Sequence, residues 1–266
     1  MIKVFVINLD KDILRMDFMD KQLKKLGIEY ERMPGINGRE FDFGDEYIER
    51  VAVAKNGAPL TPGEVGCAAS HKRCYQNIIT NNLLEALILE DDVLLPENFK
   101  DVLEKLILSN RDKRSWEYLS FDYLEPGFVY LKNWYKSLLF SYDKLIKYKS
   151  FFSKIKFTIV SFVKLCYLVP LSLFEQFRNS FYKHVKKSGA AVNFYRPLYF
   201  AGAYVVTNRG AGKLLQLTDP IVYPADRIQN QARVQLGLKF KAYAPLVVYQ
   251  QRQEFGSSIL GVKSIK

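Results

Sequence analysis

Three features of the 266-residue chain predict an α/β fold. The chain opens strand–helix–strand over residues 3–33. The alternation returns after Thr61, with a sharply punctuated helix and then a short apolar strand, Ala86–Leu89. Composition agrees: 48% of residues are hydrophobic, with only 15 Gly and 10 Pro. That excludes a disordered, collagenous or low-complexity chain, and the length is enough to bury a sizeable core without covalent staples.

Lys3–Leu9 (KVFVINL) is rich in β-branched and apolar residues and predicts a buried strand. Residues 10–25 follow with Ile13, Leu14, Met16, Met19 and Leu23 at helical spacing, stopped by Gly27. Tyr30–Met33 predicts a second strand, closed by Pro34-Gly35. Thr61-Pro62-Gly63-Glu64 is a strong helix start: Thr61 as N-cap, Pro62 at N1 and Glu64 completing a capping box, with the helix running to about Ile79. Ala86–Leu89 leads into Glu90-Asp91-Asp92. A helix is then expected over Pro96–Leu108 and a strand over Trp116–Phe121. After residue 187 the pattern predicts a strand within Pro197–Thr207, helices over Arg209–Leu217 and Ala225–Leu236, and a last strand over Phe240–Val248.

Residues 131–187 break this alternation. They hold twelve basic and two acidic residues, so this segment carries nearly all of the chain's net charge of +11. The expected organisation is one domain from 1–130 and 188–266, interrupted by a basic, apolar, mainly helical insertion at 131–187. Within it, Phe157–Phe174 is eighteen residues with a single charge, Lys164, and a single proline, Pro170. A membrane span needs about 20 apolar residues, and a central lysine opposes one. Apolar and aromatic residues interleaved with lysines fit an anionic membrane surface better. Spanning, or burial as a helical subdomain, are the other readings. Nucleic acid would account for the charge, but long aliphatic runs suit lipid and not base stacking, so no nucleic-acid partner is expected. Three cysteines, Cys67, Cys74 and Cys166, point to a reducing compartment rather than a disulfide framework. Met1–Asp10 does not read as a signal peptide, because its apolar run is short and Asp10 follows at once. The expected location is the cytoplasmic side of a membrane.

Adjacent carboxylates at a strand end can hold Mg²⁺ or Mn²⁺ against a diphosphate, and ligands of open α/β sheets bind outside the carboxyl ends of strands. A solvated acidic turn is the plainer account of Glu90-Asp91-Asp92. On the helix after Thr61, Glu64, Cys67, His71 and Cys74 share a face. Cys67, His71 and Cys74 as zinc ligands would need a fourth from Cys166 or a carboxylate, and their spacing matches none of the usual pairs. The cysteines read better as small buried apolar residues. Gly63 and Gly66 would let another backbone or a ligand approach this helix closely.

Several of these pieces occur together in order: Val6-Ile7-Asn8-Leu9-Asp10 with Arg15, Leu60-Thr61-Pro62-Gly63-Glu64-Val65-Gly66-Cys67 with Ser70-His71, Ala86–Val93, Gly202–Thr207 with Gly210-Ala211, and Pro224-Ala225-Asp226. The set resembles glycosyltransferase family 25, the lipooligosaccharide biosynthesis galactosyltransferases, over residues 1–125 and 196–250. The resemblance implies a GT-A type, Rossmann-like fold, a nucleotide-sugar donor (usually UDP-galactose), a divalent cation (Mn²⁺ or Mg²⁺), and inverting transfer to a lipid-linked saccharide acceptor. It implies Asp92, with Asp91, for the metal. It implies Asn8, Arg15, Glu64, Ser70, His71, Glu90, Asp91 and Gln250 around the donor. Asp226 is then a candidate base or second metal contact, with an ordinary N-cap as the alternative; Asp122 and Glu125 are alternative bases, and Arg252 could meet the diphosphate beside Gln250. The segment 131–187 departs from the family pattern and leaves the acceptor open. A peripheral membrane or nucleic-acid binding protein, or a transferase-like protein that binds sugar nucleotide without turnover, are the competing functions.

If the insertion docks on membranes, replacing Lys154, Lys156 and Lys164 with Glu releases the protein from anionic vesicles in a sedimentation assay. At about 1 kcal/mol per basic residue near such a surface, the three reversals together should move most of the protein to the supernatant. Unchanged sedimentation refutes docking.

Overall fold

The computed structural model describes residues 2–40, 59–122, 189–193, 197–244 and 247–250. The chain divides into two units, Met1–Leu124 with Ala190–Lys266, and Glu125–Gly189. The basic insertion, with Glu125, Cys166 and the three lysines above, lies outside the described residues, as does Arg252.

The first unit is built on seven strands: β1 (Lys3–Asn8), β2 (Glu31–Pro34), β3 (Glu85–Glu90), β5 (Tyr118–Ser120), β6 (Ala190–Val192), β7 (Ala203–Thr207) and β8 (Phe240–Ala244). Their order is β2-β1-β3-β7-β5-β8-β6. β1 pairs in parallel with both β2 and β3, and β5 with β8. β7 runs antiparallel between β3 and β5, and β6 antiparallel on β8. The sheet is therefore mixed, with five of its seven strands pointing one way. A separate small ribbon pairs β4 (Val93–Leu94) with β9 (Tyr249–Gln250).

Period-2 alternation explains the layers. Val4, Val6, Leu87, Leu89, Leu119 and Phe121 face one side, where Met19 and Leu23 of α1 (Ile13–Lys25) and Leu103 and Ile107 of α3 (Phe99–Lys113) cover them. The opposite side carries Phe5, Ile88, Tyr118 and Tyr204, all buried. There lie α2 (Pro62–Thr80), α4 (Asn208–Leu215) and α5 (Ala225–Leu236). Among the described residues, no helix is long and apolar enough to cross a membrane.

The helix at Thr61 forms as its punctuation dictates. Thr61 Oγ1 accepts from the Glu64 N–H at 3.3 Å, and Glu64 Oε2 accepts from the Thr61 N–H at 2.8 Å. Gly27, at φ +61°, ends α1 one residue beyond its C-cap. Other boundaries moved. α3 begins at Phe99, because Pro96 is spent in a turn whose carbonyl accepts from Phe99 N at 3.0 Å. It runs on to Lys113, where the Asn110 side chain closes the turn by accepting from Ser115 N and Trp116 N and donating to the Trp116 carbonyl. No glycine marks that stop, since Arg114 itself takes the left-handed conformation. The strand expected within 197–207 begins only at Ala203, and the last strand ends at Ala244. β4, β6 and β9, of two or three residues each, are too short to leave a period in the sequence.

Gly66 does more than loosen a helix start. A Cβ there would lie 2.5 Å from the Ile36 carbonyl oxygen and 2.6 Å from Gly38 N, and a Cβ at Gly38 would lie 1.7 Å from the Pro62 carbonyl oxygen. The loop after β2 thus lies backbone-on-backbone against the first turns of α2. Alanine in a helix normally gains about 1 kcal/mol over glycine; Gly66→Ala should instead lose about 1–3 kcal/mol through the forced overlap. A lower urea midpoint is expected, and an unchanged or raised one refutes the contact.

Candidate functional site at the carboxyl edge of the sheet

The chain leaves β1 for β2 on one side and returns through α2 to β3 on the other, so β1 and β3 bracket a switch point. The ends of neighbouring parallel strands diverge there into a crevice. Asn8, the last residue of β1, and the triplet at the end of β3 meet in it. Asp91 is 6% exposed. Its Oδ2 accepts from Asn8 Nδ2 at 2.7 Å and its Oδ1 from Arg15 Nη1 at 3.0 Å. Arg15 lies 3.6 Å from the Asp92 carboxylate as well. Asn8 is itself fixed, because its Oδ1 accepts from Arg32 Nε at 2.9 Å, and Arg32 also pairs with Asp10. Burial pushes Asp91 up, against the pull of Arg15 and the Asn8 hydrogen bond. Burial acts most strongly on Arg15 and lowers it, but the Asp91 charge and hydrogen bond, with the Asp92 and Asp12 charges, together outweigh it and the guanidinium stays firmly charged.

The crevice opens into a cleft of about 830 Å³, counted with its mouth. Asn8, Asp12, Arg15, Asp91 and Asp92 line one part, residues 35–39 including Asn37 and Arg39 another, and Gly63, Cys67 and Ser70 of α2 a third, with Glu90 and Gln250. A second cleft, about 520 Å³, is lined by Glu64, Cys67, Glu90, Phe200, Ala201, Pro224, Ala225, Asp226 and Gln250. The two share Cys67, Glu90 and Gln250, and meet at these side chains.

Glu90 is the hub of that junction. Its Oε2 accepts from Gln250 Nε2 at 3.1 Å; its Oε1 lies 3.3 Å from His71 Nε2 and 3.7 Å from Cys67 Sγ. Behind it, His71 Nδ1 is 2.7 Å from the Tyr204 hydroxyl, which is 2.9 Å from the Tyr75 hydroxyl. Tyr204 stacks on Tyr118 with ring centroids 4.6 Å apart. Burial pushes all three tyrosines up, so each stays a phenol able to donate. Burial and the Glu90 charge likewise push the Cys67 thiol up.

Most residues anticipated from sequence gather here in differing roles. Asn8, Arg15, Glu90, Asp91, Asp92 and Gln250 line the first cleft. Ser70 lines it too, but its hydroxyl accepts from Ile36 N at 2.8 Å and donates to the Gly66 carbonyl at 2.7 Å. Glu64 caps α2 at the rim of the second cleft. His71 is wholly buried behind Glu90 and lines neither cleft. Asp226 lines the second cleft and sits inside α5, whose N-cap is Pro224, so it is not the N-cap that was the alternative. Asp122 is 2% exposed; its two oxygens accept from Gly202 N and Ala203 N at 2.9 and 3.0 Å, tying β5 to the start of β7. Both oxygens of Asp91 are engaged by Asn8 and Arg15. The trio of cysteine and histidine considered for zinc is not assembled as expected: seven residues along a helix is about 10.5 Å, so Cys74 cannot join Cys67, and Glu90 takes its place beside Cys67 and His71. Sequence reasoning missed Arg32, Asn37, Arg39, Phe200 and Tyr204. Pro34-Gly35 marked a turn, but only the fold shows what the turn faces.

These features define a Rossmann-like α/β protein with a mixed, mostly parallel sheet and two adjoining clefts at the strand ends. The sequence profile of glycosyltransferase family 25 (LPS biosynthesis protein) matches residues 1–229. The chain belongs to that family. It is 27% identical over 124 residues to a glycosyltransferase 25 family member of Aedes aegypti, covering 44% of this chain and 20% of that one. It is 30% identical over 123 residues to procollagen galactosyltransferase 2 of Homo sapiens, covering 43% and 20%. Over 122 residues it is 30% identical to the probable inactive glycosyltransferase 25 family member 3 of Bos taurus, covering 43% and 20%. The match thus spans about a fifth of the length of these relatives.

Burial pushes Asp122 up to about 8, through desolvation and the nearby Glu90 charge and against its two backbone hydrogen bonds. The unfolded carboxyl has the ordinary value of 3.8. Stability held by the neutral form is therefore complete below about pH 4 and is lost as pH rises toward about 8. Asp122→Asn removes this dependence. Urea midpoints of the wild type should fall relative to the variant across that window, and a difference constant with pH refutes the assignment.

Proposed function

We propose that the protein is an inverting, metal-dependent glycosyltransferase of GT-A type. It would transfer galactose from UDP-galactose to a lipid-linked saccharide of lipopolysaccharide or lipooligosaccharide type, at the cytoplasmic face of a bacterial inner membrane. One observation carries this reading: two clefts meet at a shared wall of Cys67, Glu90 and Gln250. Group transfer needs two bound molecules with reacting atoms in contact, and one cleft at a switch point would serve binding alone. The family description supports the acceptor class, and the name of the human relative supports galactose.

The donor nucleotide occupies the first cleft, between Asn8 and the loop of residues 35–39, with Arg39 and Gln250 toward the diphosphate. The acceptor occupies the second cleft, where Asp226 takes the proton of the attacking hydroxyl. The donor set fits a hard cation: carboxylate oxygens of Asp92, helped by Asp91, at a strand end facing the nucleotide cleft. When bound, the cation offsets charge developing on the departing diphosphate. Arg15 holds Asp91 and Asp92 in place. A basic surface at 131–187 would keep the enzyme where a lipid-linked acceptor is confined.

The test is a donor-hydrolysis screen with Mn²⁺ and a panel of UDP-, GDP- and CMP-sugars. EDTA-sensitive release of UDP from one sugar is expected. Asp92→Asn should lower that release by about two orders of magnitude, the effect of losing several kcal/mol of charge stabilisation, with unchanged circular dichroism. Mn²⁺-dependent binding of UDP without release, with or without added acceptor, would make this a non-catalytic sugar-nucleotide binder, as the name of the bovine relative implies for that protein. No binding of UDP with Mn²⁺ by calorimetry refutes the reading entirely.

A further inference from the structure

We propose that Cys67, His71 and Glu90 form a site for a thiophilic divalent cation, zinc above all, separate from the oxygen-donor position at Asp92. The ligand atoms of the three side chains all lie within 4.8 Å of one another. Zinc bond lengths of about 2.3 Å to sulfur and 2.0–2.2 Å to nitrogen and oxygen imply tetrahedral edges of about 3.4 Å for N···O and about 3.6 Å for S···O. The observed separations are 3.3 Å from His71 Nε2 to Glu90 Oε1 and 3.7 Å from Cys67 Sγ to Glu90 Oε1. These two edges match, and the third, from Cys67 Sγ to His71 Nε2, lies within 4.8 Å, so side-chain adjustment of about an ångström at most closes a tetrahedral set around one ion. Cys67 and His71 stand one helical turn apart on α2, and the strand end of β3 supplies the third ligand.

The surroundings are those a metal site requires. A metal-bound histidine donates its other ring N–H to a fixed acceptor, which sets tautomer and ring plane. Tyr204 Oη lies 2.7 Å from His71 Nδ1 and can pass its own proton to the Tyr75 hydroxyl at 2.9 Å. Gln250 steadies the other oxygen of Glu90 at 3.1 Å. Without metal, the Cys67 thiol and His71 rest on Glu90 as hydrogen-bonding neighbours. On binding, the thiol proton leaves to solvent and the imidazole changes tautomer: Nε2 gives up the proton it donates to Glu90, and Nδ1 takes one up from solvent and donates it to Tyr204 Oη. Sulfur and imidazole select zinc over Mg²⁺ or Mn²⁺, which suit carboxylate and water instead. Cys67 and Glu90 line both clefts, so the ion's fourth position is reached from the junction. This last step rests on the function proposed above: zinc there obstructs the meeting point of donor and acceptor and inhibits Mn²⁺-supported turnover.

Cobalt(II) reports such a site without any need for activity. Titrating the full chain with Co²⁺ should give a sulfur-to-cobalt charge-transfer band together with tetrahedral ligand-field bands, at one ion per chain, displaced by Zn²⁺. Cys67→Ser should abolish the charge-transfer band, and Asp92→Asn should keep it. Tyr204→Phe, which retains the stacked ring, should weaken Co²⁺ binding about 10–100-fold. No charge-transfer band in the wild type, or a band that survives Cys67→Ser, overturns the site. A band without zinc inhibition of UDP release in an active enzyme overturns its placement at the reaction junction. Because the cobalt spectrum is independent of turnover, failure of the site and failure of the proposed function are told apart.

Discussion

A carboxylate enclosed between two parallel strands has to be matched by charge and hydrogen bonds, and Asp91 is in that position. At 6% exposure it is held by the amide of Asn8 from β1 and the guanidinium of Arg15 from α1. Breaking a buried pair from one side costs about 3–5 kcal/mol, because the other charge is stranded. The arrangement therefore locks three segments together: the end of β1, the first turn of α1 and the end of β3. Arg32 on β2 extends the lock through Asn8. All three parallel strands at this end of the sheet are thereby held in register at the point where the crevice opens. Everything that the first cleft does depends on that bracing.

The junction of the two clefts rests on a second, less polar frame. Glu90 faces the clefts, but its hydrogen-bond partners lead back through His71 to Tyr204 and Tyr75, in a layer with Tyr118 stacked on Tyr204. Buried aromatics with hydroxyl partners keep few rotamers, so the wall is stiff. Close backbone contact at Gly38 and Gly66 fixes the opposite wall. Asp122, two residues after β5, ties that strand to the turn before β7 and so sets where Gly202 and Gln250 can lie. Acidic groups close to one another in this region have different surroundings: Asp91 is paired with a guanidinium, Asp122 is buried against two backbone N–H groups, and Asp226 borders an open cleft. Environments that differ this much assign different work to chemically similar side chains.

How much of this was legible depended on the range of the interaction. The capping box at Thr61, the stop at Gly27 and the alternation in β1 and β3 involve residues within a few positions of one another, and local chemistry decides them. The end of α3 did not read, because Asn110 closes it with a side chain and Arg114 turns left-handed without glycine. The strand expected from Pro197 was too long at its start, since the residues before Ala203 turn toward Gln229 and Asn230 instead of pairing. The site divided in the same way. Glu90, Asp91 and Asp92 stood out as polar residues directly after an apolar strand. Ser70 and His71 stood out equally, yet one is spent on the loop before α2 and the other lies behind the wall.

The sequence by itself determined the α/β class, the elements with strong period and caps, the family, and the acidic end of β3. These follow from local periodicity, turn residues and motif order. Tertiary structure alone decided which carboxylate is paired and which borders a cleft, that β7 runs antiparallel in the middle of the sheet, and that Cys67 and His71 meet Glu90 instead of Cys74. The physical reason is that charge balance, burial and ligand geometry are set by atoms tens of residues apart, such as Asn8 and Asp91 or His71 and Tyr204. No spacing along the chain records distances of 2.7 Å across a fold.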